Sequence, residues 1–221
     1  PTSSLGYMLG YVLREFGAPG SDFFVRRERA KAPFRLEMER LAETLQALQE
    51  PAMLLGPSSA FVLFLEWCQG QGIRFCLPVG SRLMDTGGPK GHTWALSQEE
   101  LYRRCEEVLG IPQAYCVNEY GMSEMLSQFY DRQAGQGGPR LFLPPPWVRT
   151  QILDPETLRP LPSGEVGVLR HWDLANVDSA FVLQTEDLGQ AEGEGFLLLG
   201  RASQAEAKGC SLLLEEWLQR A

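Results

Sequence analysis

The chain has 221 residues, 44% of them hydrophobic and 22% charged, and 28 Asp and Glu against 20 Lys and Arg leave a net charge of −8. This composition excludes a disordered, collagen-like or membrane-embedded polypeptide, and a field of that sign repels nucleic-acid phosphates and anionic lipid. At this length folding buries roughly 70% of the surface of the unfolded chain, so a core forms without a disulfide or metal staple.

In chain order, PTSSLGYMLGYVLREFG carries no basic region before its apolar run, and no apolar stretch reaches the ~20 residues of a spanning helix. Residues 34 to 48 place Leu36, Leu41, Leu45 and Leu48 at helical spacing with Glu37, Glu39, Arg40 and Glu43 between them, which predicts an amphipathic helix. AMLLG (52 to 56) reads as a short buried strand. Ser58 and Ser59 are placed to cap the apolar helix AFVLFLEWCQGQG, which Gly70 and Gly72 stop. IRFCLPV (73 to 79) is expected to be a strand, 97 to 109 a helix capped by Ser97 with Glu100 at the capping-box position, and QAYCVN (113 to 118) a further strand. Strand and helix thus alternate, which argues a parallel sheet covered by helices.

The pattern changes after Tyr130. RQAGQGGP (132 to 139) is a Gly-rich loop, and PPP at 144 to 146 cannot join a central strand. Short β-like runs follow at 147 to 153, 165 to 170, 179 to 185 and 195 to 200, and SLLLEEWLQRA suggests a terminal helix. The expected fold class is α/β, a mostly parallel sheet with flanking helices followed by a small antiparallel β-barrel-like unit. The expected divisions are an α/β layered part at 1–138, a β-rich part at 139–203, and a hinge with C-terminal helix at 204–221.

Cys68, Cys76, Cys105, Cys116 and Cys210 are odd in number and form no CxxC or Cys/His cluster, so neither a disulfide framework nor a zinc site is suggested. The two histidines, His92 and His171, are too few for most metal centres. These features predict a reduced, cytoplasmic protein that neither inserts in membranes nor takes nucleic acid as its partner.

Ligands of open parallel sheets gather at the carboxyl ends of the strands, which directs attention to NEYGMSEM after the strand at 113 to 118. Gly121 permits a sharp turn, Tyr120 offers a flat ring, and Glu124 is a hard oxygen donor suited to Mg²⁺ beside phosphates. The alternative is a strand-to-helix turn with Ser123 as N-cap of a helix through 124–130. QTEDLG places Asp187 either to accept bonds from ribose hydroxyls or in an ordinary Asp-Gly turn. Arg201 leaves an apolar strand at a glycine, facing either a ligand or a surface ion pair.

Taken in order, NEYGMSE, VRTQILDPETLRPLPSGEVGVL, QTEDLG and GFLLLGRASQAEAKG resemble the adenylate-forming superfamily of acyl-CoA synthetases, adenylation domains and luciferases. SSLGYMLGYVL, MDTGGPKG and the stop soon after the hinge resemble, within it, the LuxE-type acyl-protein synthetases. The resemblance implies that the fold is part of the large domain of adenylate-forming enzymes. It implies ATP-dependent activation of a fatty acid, or another small carboxylic acid, as an acyl-adenylate. The acyl group then passes to a thiol, with an acceptor protein or reductase as a further partner.

Residue by residue, the resemblance implies that Tyr120 stacks on adenine while Gly121 allows close approach. Ser123 faces the phosphate end, and Glu124 binds Mg²⁺. Gly87 and Gly88 support the adenine and border the acyl pocket, Asp187 and Arg201 take the ribose, and Cys210 receives the acyl group. Cys210 follows Lys208 and Gly209, which favour a mobile thiolate, although a small buried hydrophobe before the last helix is the alternative. DTGGPKG also resembles a phosphate-binding loop, but it lies one helix ahead of NEYGMSE, downstream of where the superfamily places that loop. The chain is accordingly expected to be the C-terminal part of a longer synthetase, holding half a nucleotide site and inactive alone. Two rival readings stand beside this one. The first is a coenzyme A ligase for an aryl or short-chain acid, and the second is a non-catalytic nucleotide-binding or interaction fragment.

Overall fold

The apolar run near the start folds as helix α1 (Ser4–Phe16), which buries none of its residues and leaves Tyr7, Tyr11 and Phe16 exposed. The computed structural model describes residues 4–27, 34–87 and 96–202. These fall into two compact units, the first ending at Cys116 and the second starting at Val117, whereas the sequence suggests a division at 138. Gly88, His92, Cys210 and the expected terminal helix lie outside the described residues.

In the first unit, β1 (Val25–Arg27) and β2 (Phe34–Leu36) pair antiparallel. Phe34 and Leu36, expected in a helix, therefore belong to a strand, and helix α2 (Met38–Ala47) starts after them. Strands β3 (Met53–Pro57) and β4 (Arg82–Thr86) run parallel, with Leu54 opposite Leu83. Between them lies α3 (Ser58–Gln71), whose Phe61, Val62, Phe64, Leu65 and Cys68 are all buried, as a helix apolar around most of its circumference must be.

β4 corrects the sequence reading, which put a strand at 73 to 79. There the chain forms no ladder. The N–H groups of Phe75 and Leu77 bond the Val108 and Leu109 carbonyls, at 2.7 and 3.2 Å, at the end of helix α4 (Gln98–Leu109). The open carbonyls of a helix terminus take the donors a neighbouring strand would otherwise take.

Ser58 likewise does other work than expected. It is the first residue of α3 and makes no cap bond; its Oγ donates to Oδ2 of Asp85 at 2.6 Å. The Tyr102 hydroxyl donates to Oδ1. Asp85 is 1% exposed, and these two donors make its burial on β4 tolerable. Ser97 caps α4 as expected, its Oγ accepting the Glu100 N–H at 3.2 Å. Ser97→Ala is expected to lower stability by about 1 kcal/mol, read as a lower denaturant midpoint at unchanged slope.

The second unit takes up most of β5 (Cys116–Tyr120), which pairs antiparallel with β6 (Phe129–Tyr130), Tyr120 opposite Phe129. The segment between them is a loop, so the helix considered for 124–130 is absent. β7 (Val148–Leu153), β8 (Val166–Asp173), β9 (Val182–Glu192) and β10 (Gly195–Arg201) then form an antiparallel sheet in the order β10-β9-β8-β7. The sheet is open, which corrects the barrel-like expectation. Four strands fall well short of the roughly eight that close around a packed interior.

One face of this unit is filled by Tyr120, Phe129, Phe142, Val148, Ile152, Leu169 and Phe196. Gly167 and Gly189 sit opposite one another across β8 and β9. A Cβ on Gly167 would lie 2.2 Å from the Leu153 carbonyl oxygen, and one on Gly189 would lie 2.7 Å from Leu169 Cδ2. No helix among the described residues is long and apolar enough to cross a membrane.

Candidate functional site

The site begins with two irregularities of the sheet. Between β8 and β9 the register steps from Val168↔Leu188 to Arg170↔Gln184, so that Thr185, Glu186 and Asp187 stand opposite Leu169 alone. QTEDLG is thus a bulge inside β9 rather than the turn its Asp and Gly suggested. The Asp187 N–H is taken by Thr185 Oγ1 at 3.1 Å, and the Thr185 hydroxyl donates to the Leu169 carbonyl at 3.0 Å. On the other side, the β9–β10 register shifts between Leu198 and Gly200. Gly200 has φ +109, a conformation glycine adopts without a Cβ penalty. The shift sets Arg201 directly across from Asp187.

Three residues far apart in sequence meet as a result. The Tyr120 hydroxyl donates to Asp187 Oδ2 at 2.8 Å, and Arg201 Nε donates to Oδ1 at 3.2 Å. The Asp187 side chain is 7% exposed and that of Arg201 24%. Burial, with the negative charge of Asp187 and the hydrogen bond to it, holds the Tyr120 phenol well above its usual range, so it stays a neutral donor. Each carboxylate oxygen of Asp187 keeps acceptor capacity beyond the bond described.

The Tyr120 ring is enclosed by Phe129, Phe142, His171 and Phe196, at centroid distances of 5.6, 5.8, 6.0 and 6.1 Å. It is 3% exposed, so a flat ligand meets its face only if a neighbouring ring gives way. His171 is buried among the same rings, with Nδ1 2.9 Å from Thr150 Oγ1 and Nε2 without a partner. Burial pushes its pKa down to about 4 despite the opposing charges of Asp187 and Asp173.

Beyond Tyr120, Ser123 and Glu124 stand exposed on the β5–β6 loop. A Cβ on Gly121 would come 2.5 Å from Glu119 Oε1, so the glycine lets the loop pass close to that carboxylate. Gly87, at the end of β4 in the first unit, has φ +84. Among the described residues no group of three or more His, Cys, Asp or Glu is arranged to hold a metal. Glu124 offers one exposed carboxylate, the donor set of a Mg²⁺ that keeps its remaining places for water and phosphate oxygens.

Sequence reasoning passed over Asp173 and Asn176, buried beside this loop, and Ser127, buried within it. Their signal is the Asp and Asn of WDLAN at the end of β8, residues that bond nearby backbone at turns.

The description Acyl-protein synthetase, LuxE, belongs to a family that matches residues 4–219. A "Long-chain-fatty-acid--luciferin-component ligase" of Vibrio harveyi is 26% identical over 172 residues, 74% of this chain and 44% of that protein. One of the same name from Aliivibrio fischeri is 31% identical over 85 residues, 34% of this chain and 22% of that protein. The chain thus spans less than half the length of these relatives.

Among solved structures, ATP-bound MatB from Rhodopseudomonas palustris superposes with a TM-score of 0.55 at 18% identity, over 76% of this chain and 33% of its own. A long-chain-fatty-acid-CoA ligase, FadD1 of Archaeoglobus fulgidus, gives 0.51 at 16% identity over 74% and 36%. At such identities the likeness is one of fold, and the fold is that of adenylate-forming enzymes. With the match running over nearly its whole length and that fold beneath it, the chain belongs to the LuxE acyl-protein synthetase family.

Proposed function

We propose that this chain is the part of an ATP-dependent acid-activating enzyme that holds the AMP portion of an acyl-adenylate. The observation that carries this reading is the Tyr120–Asp187–Arg201 chain of hydrogen bonds, assembled from three separated motifs by two register shifts. In the reaction, a carboxylate oxygen of the acid attacks the α-phosphorus of ATP, the bond to pyrophosphate breaks, and the mixed anhydride with AMP forms. A thiolate then attacks the acyl carbon and AMP leaves.

The chain's own residues contribute positioning and charge complementarity. Asp187 accepts from the ribose hydroxyls and Arg201 fixes its orientation. The Tyr120 hydroxyl braces the other carboxylate oxygen, and stacking of its ring on adenine requires that one neighbouring ring move. Ser123 faces the phosphates, Gly87 and Gly88 border the adenine and acyl sites, and Glu124 holds Mg²⁺, which when bound offsets the phosphate charge. The acid is a long-chain fatty acid, the substrate class that the names of the relatives carry. The receiving thiol is Cys210, coenzyme A or a carrier protein.

Calorimetric titration with AMP, ATP and a non-hydrolysable acyl-adenylate mimic, with and without Mg²⁺, tests the reading. Glu124→Gln is expected to reduce the Mg²⁺-dependent gain in ATP affinity about tenfold while AMP affinity stays within about twofold. Absence of any adenylate-mimic binding to the unsubstituted chain would overturn the AMP site.

A further inference from the structure

The loop 121–128 contains neither helix nor strand, yet its backbone is held from one place. The Asn176 side chain, 1% exposed, uses both ends of its amide on it. Oδ1 accepts the Leu126 N–H at 2.9 Å, and Nδ2 donates to the Glu124 carbonyl at 2.6 Å and to the Ala180 carbonyl at 3.3 Å. Asp173, fully buried, accepts the Ser127 N–H at 3.0 Å, the Ser127 hydroxyl at 2.8 Å and the Ala175 N–H at 2.9 Å. Trp147 Nε1 donates to Ser127 Oγ at 2.8 Å. Residues 124, 126 and 127 are therefore pinned by the end of β8 and the turn after it, while the Ser123 and Glu124 side chains point to solvent.

From this geometry we propose that Asn176, seconded by Asp173, is the positioning residue that fixes where the Glu124 carboxylate stands relative to a metal-bound nucleotide. The inference rests on the reading of Glu124 given above. An exposed side chain has no packing to place it, so its location is inherited from its own backbone, and the Glu124 carbonyl is fixed by the Asn176 amide. The Asn176 amide supplies, from the two ends of one planar group, a donor for that carbonyl and an acceptor for the Leu126 N–H. An aspartate there keeps the volume and the acceptor but sets a carboxylate oxygen against the Glu124 carbonyl oxygen. The displacement it imposes is small, and positioning errors of about 1 Å reduce function by up to ~100-fold.

The test compares the unsubstituted chain with Asn176→Asp, Glu124→Gln and the double variant. Each is titrated with AMP, and with ATP in the presence and absence of Mn²⁺, while hydrogen exchange is followed at the Leu126 amide. In Asn176→Asp the Mn²⁺-dependent gain in ATP affinity is expected to fall about tenfold with AMP affinity within about twofold. The double variant is expected to lose no more of that gain than either single change, since both act through one carboxylate. Faster exchange at Leu126 with an undiminished Mn²⁺ gain would show Asn176 to be purely structural and overturn the proposal. If the unsubstituted chain binds AMP but shows no Mn²⁺ gain, the metal role of Glu124 falls, and this proposal with it, while the AMP site stands. Should Asn176→Asp lack a cooperative unfolding transition, Asp173→Asn, which weakens the bonds at Ser127 while keeping the volume, takes its place under the same criteria.

Discussion

Asp187→Ala is expected to destabilise the second unit by about 3 kcal/mol and to weaken AMP binding by roughly 100-fold or more. The stability loss has two sources. The Tyr120 hydroxyl, in a residue 3% exposed, is left without its acceptor, and an unsatisfied buried donor costs about 1–3 kcal/mol. The Arg201 guanidinium loses its counter-charge, at a cost below the 3–5 kcal/mol of a fully buried pair because its side chain is 24% exposed. The binding loss follows because the same carboxylate is the proposed acceptor for ribose. Denaturant melts and AMP calorimetry on one preparation separate the two effects. Tyr120→Phe is the control, since it removes the brace but leaves the carboxylate, and it should cost about 1 kcal/mol with a modest change in affinity. An Asp187→Ala chain that is less stable but binds AMP as the unsubstituted chain does would restrict Asp187 to the fold.

Acidification is expected to unfold the second unit before the bulk of its carboxylates titrate, through His171. In the unfolded chain this histidine takes a proton near pH 6.5, whereas burial holds it neutral in the folded state down to about 4. A depressed folded pKa means the stability is fully present above the unfolded value and is lost as pH falls through the window from about 6.5 to about 4. At about 1.4 kcal/mol per pH unit, the loss attributable to this one group is about 2 kcal/mol by pH ~5 and about 3 kcal/mol at the end of the window. His171→Phe keeps a ring among Phe129, Phe196 and Tyr120 and removes the titration. Urea midpoints between pH ~7 and ~5 should therefore fall for the unsubstituted chain and stay nearly level for the variant. Parallel curves for the two would mean that His171 already carries a proton when folded, or that other groups govern the acid limit.

What could be read from the sequence and what could not divide along a physical line. Helix α4, with its Ser97 cap and Glu100 at the capping-box position, is specified by residues within a few positions of one another, and so are β7, β8 and β10, each bounded by turn residues; β9 runs on to Glu192, past the end at 185 that local patterning suggests. β4 escaped because Asp85 interrupts its apolar run. That carboxylate is held by hydroxyls of Ser58 and Tyr102, which lie 27 and 17 positions away. Ser58 was misread as a cap for the same reason, its hydroxyl being committed to a residue that local reasoning does not see.

At the site, the types of Tyr120, Asp187 and Arg201 were legible from motif order, but their meeting depends on register. Asp187 before a glycine looks like a turn until Thr185–Asp187 is seen to bulge against Leu169. His171 carries no local signal, since a lone histidine in a strand could face either side. Asp173 and Asn176 do carry one, as turn-forming residues closing a strand, although which loop they would hold could not be known from their neighbours.

The facing glycines of β8 and β9 have a bearing on how this unit tolerates change. What matters at Gly167 and Gly189 is empty volume, so truncation scanning, which asks what is lost when atoms are taken away, is blind to both. Only enlargement reveals them: the smallest possible addition already meets the Leu153 carbonyl and the Leu169 methyl. Alanine at either position is therefore a disruptive change at a spot with no reactive group.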